Sequence, residues 1–116
     1  MNNIKEIVSA TCLLYSVANA DDIIEQGEIN SIKEIIIDFF QIQKDEDINN
    51  ILNISKEKYI NSIDIFEFSK ILNEQWNYQD KIDFICCTFE VAFSDGELHY
   101  IEESVIKKIA TILNVN

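Results

Sequence analysis

Sliding this chain 74 residues along itself places Asp21 on Asp95 and Glu28 on Glu102 without a gap. The same shift aligns Val17 and Ala18 with Val91 and Ala92, and Ile32, Lys33 and Ile35 with Ile106, Lys107 and Ile109. These seven identities fall within the 25 positions from Tyr15 to Phe39, and Ile24/Leu98 and Phe39/Leu113 are near-matches. In each copy an apolar helical run enters an abrupt acidic turn, and a new helix leaves it. Self-similarity at a fixed offset marks a duplicated supersecondary unit. The chain is therefore read as two helix–acidic turn–helix units joined by a middle section, with the two acidic turns as the candidate site. Gly96, one of only two glycines, stands where a helix-to-helix corner wants positive φ.

The first helix is expected over about 4–20. Ile4, Val8, Thr11, Cys12 and Tyr15 mark one stripe, and Ala10, Leu13, Leu14 and Val17 another. A helix apolar on most of its circumference belongs in the core. Asp21-Asp22 end it. The second helix, about 25–41, turns Ile29, Ile32, Ile35, Ile36, Phe39 and Phe40 inward. Its Ile35-Ile36-Ile37 run has strand propensity, but the i, i+3, i+4, i+7 spacing and the matching repeat decide for helix. A third helix, about 45–61, opens on Asp45-Glu46-Asp47, as suits the positive end of the helix dipole. Its apolar side is Ile48, Ile51, Leu52, Tyr59 and Ile63, with Ser55 expected as a break. Asp64-Ile65-Phe66-Glu67 has the form of a capping box and starts a fourth helix that runs to about Gln75. Asn77-Tyr78-Gln79-Asp80 is a similar start to a fifth helix, about 78–94. Tyr78, Ile82, Ile85, Cys86, Phe89 and Phe93 line one of its faces, and Phe84, Cys87 and Val91 another, so it is expected to be central. The last helix, about 99–114, turns Ile106, Ile109, Ala110 and Leu113 inward. Trp76, with Phe66 and Phe68 nearby in sequence, reads as core. The fold class is all-α: six to seven helices, with two helix–acidic turn–helix repeats in a pseudo-two-fold bundle. It is one domain spanning 1–116, with repeat one at 4–41, middle helices at 45–76 and repeat two at 78–114.

Composition narrows the function. Hydrophobic residues make up 47%, enough for a core, and the absence of proline leaves long helices uninterrupted. A net charge of −12 excludes nucleic acid, whose phosphates would be repelled, and suits cations or a basic partner. With only 9 basic residues there is no anchor for an anionic membrane. No apolar run approaches the ~20 residues of a membrane span, so direct membrane insertion is not expected. Ile7 to Ala18 followed by Asn19-Ala20 mimics a signal-peptidase site. However, Lys5 and Glu6 cancel before it, and the segment aligns with Phe84–Ser94, so it is kept as a core helix. Cys12, Cys86 and Cys87 give no disulfide framework and no Cys-x-x-Cys site. They are expected as buried small hydrophobes in a reducing, cytoplasmic compartment.

The stretch Leu72-Asn73-Glu74-Gln75-Trp76-Asn77-Tyr78 is followed by Phe89-Glu90-Val91-Ala92-Phe93-Ser94-Asp95-Gly96-Glu97-Leu98-His99 and then Glu102. Together these resemble the TerB-like family, which includes the bacterial tellurite-resistance protein and the N-terminal region of a membrane-anchored DnaJ-like co-chaperone. The resemblance covers nearly the whole chain, extends through the ending Ile109–Val115, and is closest to small stand-alone bacterial members. It implies an all-helical fold and, in the acidic turns, metal binding carried over to Asp21, Glu28, Asp95 and Glu102. The first turn departs from the family pattern, because Asp22 stands where glycine is frequent.

The residues themselves allow two readings of the turns. Carboxylates suit hard divalent cations such as Ca2+ or Mg2+, and Ca2+ takes about six to eight oxygens. Asp21, Asp22, Glu25 and Glu28 with Asp95, Glu97, Glu102 and Glu103 offer enough if the turns meet, with His99 beside them. Neither turn has the spacing of an EF-hand. The second reading is capping: Glu28 and Glu102 sit about one turn into their helices, and Asp21 and Asp95 can satisfy free N–H groups from the turn. There is no nucleophile–base pair, no phosphate loop and no zinc motif. The expected function is a non-catalytic binding or scaffold module, linked to tellurite or other metal or stress resistance, with another protein as partner. The alternative is a metal-dependent enzyme using paired carboxylates of the two turns.

Overall fold

A computed structural model describes residues 4–20, 26–61, 65–94, 96 and 100–115. Its elements are α1 (Ile4–Ala18), α2 (Gln26–Phe40), α3 (Asp45–Asn61), α4 (Ile65–Gln75), α5 (Tyr78–Ala92) and α6 (Tyr100–Ile112). Among the described residues there is no strand, and the isoleucine run of α2 is helical. The starts of α1 and α5 lie 74 residues apart, as do their ends and the starts of α2 and α6.

α1 is the axis of the molecule. It packs against every other helix, and Val8 through Ala18 are all buried. Its buried hydroxyls find partners within the helix: those of Ser9, Thr11 and Ser16 donate to carbonyls of the preceding turn, at Lys5, Ile7 and Leu13. Ile4, read as part of an apolar stripe, is instead 59% exposed at the first position of the helix. α3 is unbroken through Ser55, which is fully buried. Small residues let helices approach closely, and here the Cys12 thiol donates to the Ser55 carbonyl at 3.4 Å. α5 begins as read: Asn77 is its N-cap, with its side-chain oxygen accepting from the Asp80 N–H at 2.8 Å. Such a cap is worth about 1 kcal/mol.

α2 and α6 end alike. Gln41 and Asn114 take left-handed φ values of 55° and 61°. The next N–H in each, from Ile42 and Val115, reaches back to Ile37 and Ala110 at 3.1 and 2.9 Å. This six-to-one bond is the Schellman closure, with the following apolar residue folded back on the helix. It tucks Ile42 and Val115 against the core.

The inward face of α5 is the one built on Phe84, Thr88, Val91 and Ala92. Tyr78 and Phe93, placed by sequence on an inward stripe, are 53% and 50% exposed. Both stripes have helical spacing. The 84/88/91 stripe wins because it faces α1 and α2, and α1 rather than α5 takes the central position. The rings around Trp76 are Phe39, Phe40 and Phe84, not Phe66, which is 61% exposed.

The cysteines also differ from expectation. Only Cys12 is buried; Cys87 is intermediate and Cys86 exposed, following the same shift of the α5 face. Burial pushes the Cys12 thiol up to about 11, with Lys58 opposing. Burial pushes Cys87 up to about 11 as well, reinforced by Glu90, Cys86, Asp83 and Asp38. Raised values mean that the folded state favours the neutral thiols. Their contribution to stability is full below the ordinary value of 9.0 and is lost as pH rises through about 11. A thiolate-directed reagent at pH 8 is therefore expected to modify one thiol fast, Cys86, and the other two only on unfolding. Cys86→Ser should remove the fast phase; two or three fast thiols in the folded protein would contradict the assignment.

Candidate functional site

The two corners are entered in the same way. At the end of α1 the Asn19 N–H donates to the Tyr15 carbonyl at 2.9 Å and that of Ala20 to Val17 at 3.3 Å. At the end of α5 the Phe93 N–H donates to Phe89 at 2.9 Å and that of Ser94 to Val91 at 3.2 Å. Each bond lies 74 residues from its counterpart. The Ser94 hydroxyl closes on the same Val91 carbonyl at 2.7 Å. Gly96 then takes a φ of 92° and donates to the Phe93 carbonyl at 2.8 Å. No neighbour would meet a side chain there, so it is the backbone conformation, open to glycine and strained for L residues, that requires glycine.

Glu28 and Glu102 are the third residues of α2 and α6. Both are almost completely buried, at 4% and 1% exposure. One turn further on, Ile32 and Ile106 are buried against the core, and Ile35 and Ile109 continue the same stripe. That stripe pulls the first turn of each helix inward and takes the glutamate with it. A buried carboxylate is tolerated only where other groups engage it. Both are engaged within the chain, and both sit at the positive end of a helix dipole.

The first turn of α2 and the end of α5 approach one another. A methyl group placed on Gly27 would stand 3.7 Å from the Ser94 carbonyl oxygen. The first turn of α2, which carries Glu28, thus lies against the end of α5, which leads into the second acidic turn. The repeat in the sequence leaves open whether the two units meet here. The signal available was the position of Gly27, the second of only two glycines, directly before Glu28.

Asp21, Asp22, Glu25, Asp95, Glu97 and His99 lie outside the described residues. Glu103 points elsewhere: it pairs with Lys107 on the surface of α6 at 3.3 Å. Among the described residues no three His, Cys, Asp or Glu side chains stand together as a metal-ligand set. What the described part supplies is two buried carboxylates in equivalent positions, with oxygen donors of the kind that Ca2+ and Mg2+ accept. Among the described residues, moreover, no helix is long and apolar enough to cross a membrane.

No curated protein and no solved structure matches the chain. A family model described as "Tellurite resistance protein TerB" matches residues 8–116. That span takes in α1 from Val8 onward, all of α2–α6, both buried glutamates and Gly96. The chain belongs to the TerB family.

Proposed function

We propose that this tellurite-resistance-family domain is a non-catalytic binding or scaffold module whose two acidic corners together take up a divalent cation, Ca2+ or Mg2+. Its partner is another protein and its setting is cytoplasmic metal or stress resistance. The observation that supports the cation reading is the approach of Gly27 to the Ser94 carbonyl, which brings the first turn of α2 to the end of α5. Buried Glu28 and Glu102 supply one carboxylate from each unit. Asp21 and Asp95 are the proposed further ligands, with Asp22, Glu25, Glu97 and His99 as additional candidates.

The test is thermal unfolding in millimolar CaCl2 or MgCl2 against NaCl of equal ionic strength. Wild type is compared with Glu28→Gln/Glu102→Gln, which keeps shape and hydrogen-bonding capacity but removes charge. A ligand that binds only the folded state stabilises it by about 2.7 kcal/mol at a hundredfold excess over its Kd. Diffuse screening of the −12 charge also stabilises. A rise in wild type that NaCl does not reproduce, and that the double variant lacks, supports the site. Equal rises in all samples would leave the four acidic residues with a capping role alone. Each variant is read by its own shift, so a lower starting Tm does not obscure the comparison.

A further inference from the structure

α4 packs beside α6, and between them lies an open groove of about 530 Å3. α4 contributes Ile65 and Phe66, and α6 contributes Lys107, Lys108, Thr111 and Ile112. Phe66 is 61% exposed and so presents aromatic surface to water. Lys70 follows Phe66 by one turn and is exposed as well. The charge of the groove opposes that of the chain. The protein carries 21 acidic and 9 basic residues, yet among the described residues none that lines this groove is acidic. The other two grooves described differ: the cleft between α2 and α5 holds Glu34, Asp38 and Glu90, and the one beside Phe40 mixes Lys44 with Asp47. Lys107 does hold Glu103, but the lysine side chain is 74% exposed in that pair. An exposed i,i+4 pair is worth a few tenths of a kcal/mol, so a partner carboxylate can displace it readily.

We propose that the α4/α6 groove docks an acidic amphipathic helix of a protein partner. Its apolar stripe covers Ile65, Phe66 and Ile112, and its flanking Asp or Glu side chains meet Lys107 and Lys108. The local charge at Lys107 and Lys108, opposite in sign to the net charge that by itself would suit a basic partner, selects this occupant. A second copy brings a net charge of −12 against −12. An anionic bilayer gains about 1 kcal/mol per lysine while repelling the rest of the surface. A groove between two helices is the usual receptor for a third, read through anchors at i, i+3, i+4 and i+7. The docking gives a chemistry to the protein partner of the proposed function and is independent of cation uptake at the corners, so either can fail alone.

The test uses the full chain, 15N-labelled, and a panel of fluorescein-labelled helical peptides. These carry Leu and Phe at i, i+3, i+4 and i+7 with flanking Glu, the stripe being stepped through successive registers. Controls replace every Glu by Lys, or scramble the stripe at constant charge. At least one Glu peptide is expected to bind saturably, with amide shifts centred on 65–70 and 104–112. Binding should weaken at least tenfold in Lys107→Glu/Lys108→Glu and in Phe66→Ser, and weaken as salt rises. These side chains are exposed, and unchanged circular-dichroism melts would show that the variants fold. Saturable binding by no member of the panel would overturn the proposal, as would equal binding by the Lys or scrambled controls or shifts mapping to another face. Sedimentation with phosphatidylserine vesicles that Lys107→Glu/Lys108→Glu abolishes, without peptide binding, would assign the groove to a membrane instead. A concentration-dependent mass that Phe66→Ser abolishes, again without peptide binding, would assign it to self-association.

Discussion

Phe84→Ala is expected to lower the unfolding free energy by about 3–5 kcal/mol, the cost of deleting a buried ring from a close-packed core. Phe84 is 1% exposed. Its ring meets Trp76 edge to face at 5.1 Å and Phe39 at 6.0 Å. Trp76 lies a further 5.2 Å from Phe39, and Phe39 packs on Phe40 at 5.0 Å. Aromatic pairs of this geometry contribute about 0.5–1.5 kcal/mol each beyond their buried area. The cavity cannot close easily, because its walls come from α2, from α5 and from the α4–α5 connection. A domain of this size has a total stability on the order of 5–15 kcal/mol, so the variant should be marginal. Trp76 is the only tryptophan, and its fluorescence reports the same site. Denaturant unfolding followed by that fluorescence and by circular dichroism is the measurement. A loss under 1.5 kcal/mol would mean that the ring cluster repacks and does not tie the two helix pairs together.

The residues of this cluster illustrate what the amino-acid order revealed and what it did not. That Phe39 and Phe40 turn inward, and that Trp76 is core, follows from helical spacing and side-chain chemistry. That they meet Phe84 does not, because α5 carries two apolar stripes of equal helical quality. Periodicity alone cannot rank the face of Tyr78, Ile82, Ile85, Cys86, Phe89 and Phe93 against that of Phe84, Cys87 and Val91, and in the fold Ile85, Cys87 and Phe89 are all partly buried against the core. The choice is made by which stripe meets α1 and α2, and Cys86 goes to the surface with it. The corners show the same division. The repeat located Glu28 and Glu102, and Gly96 at a left-handed corner, from spacing alone. A glutamate at the third position of a helix reads the same whether it caps from solvent or is buried. Its burial depends on how far Ile32 and Ile106 draw the helix into the core. The approach of Gly27 to Ser94 joins segments far apart in sequence, and the glycine before Glu28 permits a close neighbour without naming it.

The second large effect is expected from Glu6, whose charge reads in sequence only as the neighbour that cancels Lys5. In the fold Glu6 is buried at 7% exposure, and its carboxylate accepts a hydrogen bond from the Trp76 indole N–H. This bond closes the start of α1 onto the α4–α5 connection across 70 residues of sequence. Glu6 and Trp76 are each only 7% exposed, so cutting the bond from one side removes a buried, charge-assisted hydrogen bond that water does not readily replace. Trp76→Phe is expected to cost about 2–4 kcal/mol: roughly 1.5–3 for a hydrogen bond to a carboxylate, plus part of the indole volume. Glu6→Leu should cost about 1–3 kcal/mol by stranding the indole N–H. The decisive sample is the double variant, in which neither polar group remains. Replacing both partners by apolar groups avoids the desolvation penalty that each single change exposes. Its loss should therefore fall short of the sum of the single losses by about 1.5–3 kcal/mol, the coupling energy of the pair. Chemical denaturation of the four proteins at one pH gives the cycle. Additive losses would show that the bond contributes nothing and that Trp76 is held by its ring contacts alone.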